Sequence, residues 1–471
     1  MTPLFQTKNS LDVAGWLTAL ILPAFFLYFL QETKLNWACI NFIVIFTAAL
    51  IMWIFRLVPE YAPAFFIIVA TILLGLAPQS VLLSGFSSDS FFLALSIFGI
   101  GAVLVKSRFF YRLSLIILIH LPKNKWLLQS VLFGIGTLLT PVMTAQSARV
   151  SLILPLLEDV RKTAGLKPNS IAANGLACAA FNGCILLSVI FLTGKSSNFV
   201  LYGMMSEQIQ WQFSWLTWLE AASVPGLMMI ILFFIMLKVQ FRSNDAVEVN
   251  HLSVKQELLK LGRVTFTEWS AILSISMLIL SLIFSSWHQI PTTWVSFAIF
   301  CALLTSGFLD KNDFKNGINW PFLFYLGAII GIMRCVQEIG IDTWIMHYLS
   351  WLTHIANEQH VLFLIIIYML SWIGCLFFGT TAAPAILFAI LLPVTAHASI
   401  HIWLVAFVIL MATEGWVFPY QSSYYLLFEE WTKESQNYEP SSILRINAVF
   451  SLLRLLIILL SIPFWRSYGL L

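Results

Sequence analysis

Apolar runs of about 20 residues recur along this chain, and each is long enough to cross a hydrocarbon core roughly 30 Å thick. The pattern predicts spanning helices over residues 12–30, 38–56, 62–84, 89–105, 171–193, 213–238, 268–287, 291–308, 319–335, 401–427 and 443–465. Two further apolar stretches, 126–160 and 361–397, are interrupted in the middle by polar residues or Pro. They read as re-entrant hairpins that enter and leave on the same side of the bilayer. The expected fold is an all-α polytopic membrane protein with about eleven transmembrane helices and two hairpins.

Composition agrees with that reading. The chain is 60% hydrophobic and 10% charged over 471 residues, where a soluble domain carries about 25% charged residues. The first run, Val13 to Leu30, is too long for a signal-peptide core and has no small-residue cleavage site behind it, so it reads as a retained helix. The six cysteines lie in or beside apolar runs with no CxxC spacing, as buried small hydrophobes do. No P-loop, HExxH or GxSxG pattern occurs. An enzyme, a nucleotide-driven pump, a bound cofactor and a nucleic-acid partner are therefore not expected; the bilayer is.

Charge placement sets an orientation, because Lys and Arg gather in cytoplasmic loops. With the N-terminus inside and the C-terminus outside, 19 basic residues flank the inner face and only Lys34, Arg334 and Arg466 flank the outer one. Lys8, Lys123 and Lys167 are among the inner set. The expected location is the cell inner membrane, crossed many times. The long polar loop 240–267 is cytoplasmic and divides the chain nearly in half.

Across that loop three blocks recur in the same order. Ile97-Phe98-Gly99-Ile100-Gly101-Ala102 pairs with Tyr325-Leu326-Gly327-Ala328-Ile329-Ile330-Gly331, and Leu152-Ile153-Leu154-Pro155 with Ile390-Leu391-Leu392-Pro393. Ile190-Phe191-Leu192-Thr193-Gly194-Lys195-Ser196-Ser197-Asn198 sits where Val417-Phe418-Pro419-Tyr420-Gln421-Ser422-Ser423 recurs. The organisation expected is a leading segment 1–36, one repeat over 37–239, the linker 240–267 and a second repeat over 268–471. Five crossings and one hairpin per half invert the second repeat relative to the first. Inverted repeats with broken helices at the midplane are the architecture of secondary transporters. Phe109 to Leu121, with Tyr111, Arg112 and His120, and its counterpart Ile341 to Ile355 read as amphipathic helices in opposite interfaces.

The polar breaks hold the candidate chemistry. The first hairpin turns at Thr140 to Arg149, including Thr144, Gln146 and Ser147; the second turns at Gly379-Thr380-Thr381-Ala382-Ala383-Pro384. Irregular backbone at membrane depth is tolerated only when buried in protein or lining a watery cavity. The half-helix starting near Ser147 offers free N–H groups and a positive dipole end, which suit an anion. The competing reading is a Pro-kinked packing element. Arg149, Lys195 and Arg454 are basic residues at membrane depth, where charge is costly. Arg149 and Lys195 adjoin the turns and suggest a positive pocket; a structural ion pair of either with Glu414 is the competing reading. Arg454, with no polar turn beside it, reads as packing or snorkelling. The candidate substrate site is thus Thr144, Gln146, Ser147, Arg149, Lys195, Ser196, Ser197, Asn198, Thr380, Thr381, Gln421, Ser422 and Ser423.

At these turns the chain resembles the divalent anion:sodium symporter (DASS) family of the ion transporter superfamily, over nearly its whole length. The family's Ser-Asn-Thr tip signature falls on Ala145, Gln146 and Ser147 in the first hairpin and on Ala383, Pro384 and Ala385 in the second. Its Gly-x-Pro-x-Asn segment matches Gly194-Lys195-Ser196-Ser197-Asn198. Phe418 to Tyr425 and Ser147-Ala148-Arg149-Val150 look like a divergent bacterial branch. The resemblance implies a homodimer working as an elevator. It also implies dicarboxylate, tricarboxylate or sulfate cargo, and sodium as coupling ion near Gln146, Ser147, Gly194, Thr380 and Thr381. Loss of the second signature suggests that Arg149 or Lys195 replaces one sodium. Two alternatives stand beside it. A sodium/proton antiporter or metalloid-anion exporter would use Glu414, and a membrane-embedded transferase would need a His cluster that the eight scattered His do not form.

Overall fold

The computed structural model describes residues 10–30, 35–119, 124–242, 251–284, 288 and 290–471. Lys8, Lys34, His120, Leu121 and Lys123 lie outside the described residues. Among the described residues there are 22 α-helices and no strand. Seven helices are long and apolar enough to cross a membrane: Asp12–Leu30, Trp37–Ile54, Asp89–Ser107, Trp215–Gln240, Trp320–Ile339, His360–Ala396 and Pro440–Ser467.

The remaining apolar segments are shorter for identifiable reasons. The run expected as one crossing over 62–84 is helical only over Tyr61–Leu73; Gly75 turns the chain at φ 63°, and two short helical turns follow. The crossing expected over 171–193 is helical over Ile171–Ile185, loses its ladder, and resumes as Ser196–Met204. Its counterpart in the other half runs Ile402–Thr413 and resumes at Ser423–Ser435. Each of these crossings is therefore two half-helices with open backbone between. The linker contains a helix, His251–Lys260.

Both hairpins are formed. The first has arms Lys125–Leu139 and Gln146–Thr163, with an irregular tip at 140–145. The second is two helical arms over His360–Ala396, since 37 residues of straight helix would reach roughly 55 Å, far beyond the hydrocarbon core. Gly379 breaks it with φ 73° and ψ 178°, a conformation closed to side chains with a Cβ. The arms fold back, so that Gly374 lies against the Leu387 side chain.

The helices sort into two bodies. One packs Trp37–Ile54, Tyr61–Leu73, Asp89–Ser107, Phe266–Ile283, Thr292–Thr305 and Trp320–Ile339 together. The other holds both hairpins, both broken crossings, Trp215–Gln240 and Pro440–Ser467. Ser196–Met204 lies at the seam, touching Asp89–Ser107 and Trp320–Ile339 as well as the second hairpin. The amphipathic segments are helices Phe109–Ile119 and Ile341–Glu358. Arg112 anchors the first by donating from Nε to Glu268 Oε1 at 2.6 Å and from its two terminal nitrogens to the carbonyls of Leu261, Gly262 and Arg263.

Inside the second body, close packing depends on small residues, as in membrane helix pairs generally. A Cβ on Gly183 would sit 2.4 Å from the Phe133 carbonyl oxygen, and one on Gly136 would sit 2.6 Å from the Cys184 nitrogen. These are backbone atoms with nowhere to move. Gly183→Val is therefore expected to pry the first hairpin off helix Ile171–Ile185 and destabilise the protein by about 1–3 kcal/mol. The control is Gly134→Ala in the same hairpin, where an added Cβ meets open space. The measurement is the unfolding midpoint in detergent, expected lower for Gly183→Val than for the control; equal midpoints would contradict this packing account.

Candidate functional site

Four stretches of backbone leave the helical ladder inside the second body: the first tip at 140–145, residues 186–195, the bend at Gly379, and residues 414–422. Buried main-chain groups without partners each cost several kcal/mol in hydrocarbon, so side chains must serve them. Asn198 does this for the first broken crossing, donating from Nδ2 to the carbonyls of Ser188 and Phe191, both at 2.9 Å. Gln421 does it for the second, its Oε1 accepting from the backbone of Val417 at 2.9 Å and Phe418 at 2.8 Å. Ser422 caps the half-helix that follows by accepting from the Tyr425 N–H. Thr193 donates to the Pro141 carbonyl at 2.5 Å.

Arg149 does the largest share. It is fully buried, and one guanidinium nitrogen donates to the carbonyls of Thr140 (3.2 Å), Met143 (2.6 Å) and Gly194 (2.7 Å). The other donates to the Ser188 hydroxyl at 2.8 Å. Arg149 thus clamps the first tip to the first broken crossing and does not reach the cavity described below. Lys195 has the opposite placement. Its ammonium pairs with Glu414, donates to the Thr380 carbonyl at 3.3 Å, and lines the cavity. It joins the first broken crossing to the second and to the second hairpin. Glu414, 1% exposed, also accepts from Gln146 Nε2 at 3.3 Å on both oxygens and from the Tyr424 hydroxyl at 3.2 Å. Of the two ion pairs entertained from sequence, Lys195–Glu414 is the one present. Arg454 does not snorkel: it is 1% exposed and donates to the Met411 carbonyl, one turn before Glu414.

A cavity of about 340 Å³ lies where the two bodies meet. The second body contributes Ala145, Gln146, Ser147, Lys195, Ser196, Thr380, Thr381, Ser423 and Tyr424; the first contributes Pro59, Glu60, Tyr61, Asn319, Pro321, Phe322 and Tyr325. Among the residues expected at the site, Gln146, Ser147, Lys195, Ser196, Thr380, Thr381 and Ser423 are brought together here. Arg149, Ser197, Asn198, Gln421 and Ser422 are buried behind them as support. Thr144 lines a neighbouring cavity of about 380 Å³ with Lys106, Asn312 and Asp313. Sequence reasoning missed the wall from the first body. Its signal was present in the polar residues Glu60 and Asn319, each immediately ahead of an apolar helix.

Helix starts surround this cavity. Helices Tyr61–Leu73, Gln146–Thr163 and Ser196–Met204 begin at it with no side-chain cap on their first turns. The second hairpin's returning arm, starting at Thr380, also begins there. Uncapped N–H groups and aligned dipoles make each end attractive to negative charge. Buried charge around the breaks adds to this: three cations, Arg149, Lys195 and Arg454, stand against the single carboxylate of Glu414, a net of +2. The arrangement can hold a small anion. It offers no nucleophile–base pair, and no cluster of metal-ligating side chains occurs among the described residues.

Sodium can be tested against the oxygens that are present. Beside Gly194, the carbonyls that would ligate it already accept from Arg149, and Ser188 does too. At the second tip, the Thr380 carbonyl accepts from Lys195, while the Thr380 hydroxyl donates to the Gln421 carbonyl at 3.3 Å. At both spots these carbonyls thus serve one of the chain's own cations. Buried oxygens without a protein partner include Thr144 Oγ1, Ser197 Oγ and Asn198 Oδ1.

An all-helical, multi-pass chain with paired hairpins and broken crossings around a small polar cavity is a membrane transporter by class. The chain belongs to the sodium:sulfate symporter family, whose transmembrane-region model matches residues 12–471. YflS of Bacillus subtilis, which carries a provisional malate-transporter name, is 24% identical over 311 residues, 64% of each chain. The match thus spans less than two thirds of YflS. Inner membrane protein YbhI of Escherichia coli is 23% identical over 352 residues, 72% of this chain and 73% of that one. The YdaH transporter of Alcanivorax borkumensis superposes with a TM-score of 0.54 at 12% identity, covering 83% of this chain and 88% of its own, a likeness of fold alone.

Removing the Arg149 guanidinium would take the donor from the carbonyls of Thr140, Met143 and Gly194, at about 1–3 kcal/mol for each group left unsatisfied. Arg149→Ala is expected to lower the thermal midpoint in detergent markedly, and Arg149→Lys to lower it less. A midpoint unchanged in Arg149→Ala would refute the clamp.

Proposed function

We propose that this protein is a secondary active transporter that carries a small dianion, of the dicarboxylate or sulfate class, across the inner membrane. The observation that carries this reading is the 340 Å³ cavity ringed by uncapped helix starts, with Lys195 in its wall. A cavity of that size is at the small end for ligand sites, which suits a four-carbon acid and excludes lipids. Two carboxylates spaced on such an acid could engage the helix ends of both hairpins at once. The malate name of YflS and the inner-membrane name of YbhI support the same class and location.

The cavity's position on the seam between two bodies supports an elevator. In that mechanism the body with both hairpins slides past the other, carrying the anion between its tips. The same reading includes a homodimer through the first body, the N-terminus in the cytoplasm and the C-terminus outside, as the basic flanks indicate. A sodium/proton antiporter draws less support, because Glu414 is already engaged by Lys195, Gln146 and Tyr424.

Purified protein is expected to be stabilised by malate or sulfate and not by the uncharged diamide of malate. At about a hundredfold excess over Kd, binding contributes about 2.7 kcal/mol of stability. Lys195→Ala should remove most of that ligand-dependent shift. A screen in which no dianion moves the melting curve would refute the anion site, whereas a shift retained in Lys195→Ala would move the site elsewhere.

A further inference from the structure

The hairpin-bearing body supplies what an anion needs, but it leaves the opposite wall of the 340 Å³ cavity unexplained. That wall carries a carboxylate, Glu60, and a buried phenol, Tyr325. A carboxylate beside an anion site repels the cargo unless the cargo also offers a donor. We propose that Tyr325 and Glu60 together read a hydroxyl on the cargo's carbon chain, so that the preferred substrate is a hydroxylated four-carbon diacid rather than any dianion of that size. The inference rests on the anion-site reading above and narrows its substrate class.

The argument begins with Tyr325. It is 2% exposed and lines the cavity, yet its hydroxyl has no hydrogen-bond partner among the described residues. No other described residue of the lining has a buried side-chain oxygen left unserved in this way. A buried tyrosine hydroxyl ordinarily finds a partner, because leaving it unpaired costs about 1–3 kcal/mol. Packing holds the ring where it is: Trp53 stands edge-on with centroids 6.5 Å apart, and Phe322, one helical turn earlier, lies at 6.3 Å. The helix is fixed at its start, where Asn319 accepts from the Phe322 N–H at 3.3 Å. Trp53 also donates from its indole nitrogen to the Glu60 carbonyl at 2.9 Å. One side chain thus sets both the phenol and the loop that bears Glu60.

A hydroxyl both donates and accepts, and that is what this wall lacks. Accepting from the Tyr325 O–H and donating to Glu60, it would serve both wall groups at once. An ammonium would also donate to Glu60, but it has no lone pair to accept from the phenol. It would also lower the cargo's charge to −1, against the net +2 buried around the breaks. A plain methylene offers neither bond, and binding it would enclose the phenol and the carboxylate unpaired. Sites built to bond a hydroxyl reject the analogue without it for that reason.

The test titrates the full chain in detergent, at neutral pH, with malate, succinate and aspartate, and reads Kd from the shift in melting midpoint. Malate should bind about tenfold more tightly than succinate, from which it differs by one hydroxyl, and more tightly than aspartate. Tyr325→Phe should bring the malate-to-succinate ratio down towards one. Glu60→Ala, which keeps the backbone carbonyl held by Trp53, should also lower it. The midpoint of unliganded Tyr325→Phe should match or exceed that of the wild type, because the lost hydroxyl has no partner in the chain. Three results would overturn the inference and leave the anion site standing: equal binding of malate and succinate, aspartate binding as tightly as malate, or a ratio unchanged in either variant. A lower midpoint for unliganded Tyr325→Phe would give the hydroxyl a structural role and overturn it as well. Binding of none of the three acids would overturn the anion reading together with the inference.

Discussion

A carbonyl oxygen stranded in the middle of a bilayer has no water to accept from, and this molecule strands several of them. Two crossings and two hairpins give up their helical hydrogen bonds at membrane depth. The structure holds because Arg149 gathers the carbonyls of Thr140, Met143 and Gly194 onto one guanidinium. Lys195 then ties the same broken crossing to Glu414 and to the Thr380 carbonyl in the other half of the chain. Asn198 and Gln421 close the remaining loops from within. Without these few side chains the breaks would have to heal into continuous helix, and the cavity would disappear with them.

The same breaks create the affinity for negative charge. Every interrupted helix that restarts presents a positive dipole end, and the restarts at Gln146, Ser196 and Thr380 converge on one cavity. Arg149 and Lys195, which stabilise the breaks, are cations, so structural support and electrostatic attraction come from the same atoms. Beside Gly194 and at Thr380 these two cations serve the carbonyls of Gly194 and Thr380.

Much of this was legible before any coordinates. Periods of about 20 apolar residues placed the crossings, and Pro, Gly and hydroxyl clusters placed both hairpin tips and both broken crossings. The tip at Gly379 is the clearest case, since only glycine accepts φ 73° there. Other features were not legible. Residues 62–84 look like one span because hydropathy cannot see that Gly75 adopts a positive φ and ends the helix. Arg454 reads as packing or snorkelling, and sequence does not choose between them because its partner, the Met411 carbonyl, is 43 residues away and carries no sequence signal. The wall made by Glu60, Tyr61, Asn319 and Tyr325 comes from helices that meet the hairpins only in space.

Arg149 and Lys195 mark the boundary between the two kinds of knowledge. Sequence determined that both are basic, that both sit beside breaks in apolar segments, and that such residues must be paired or functional, because hydrocarbon penalises unpaired charge whatever the fold. Only the tertiary structure decided which way each side chain goes. Arg149 turns inward to a ring of backbone oxygens, and Lys195 turns to the cavity wall with Glu414 at its side. That choice depends on distances between segments up to 268 residues apart, and no local pattern carries it.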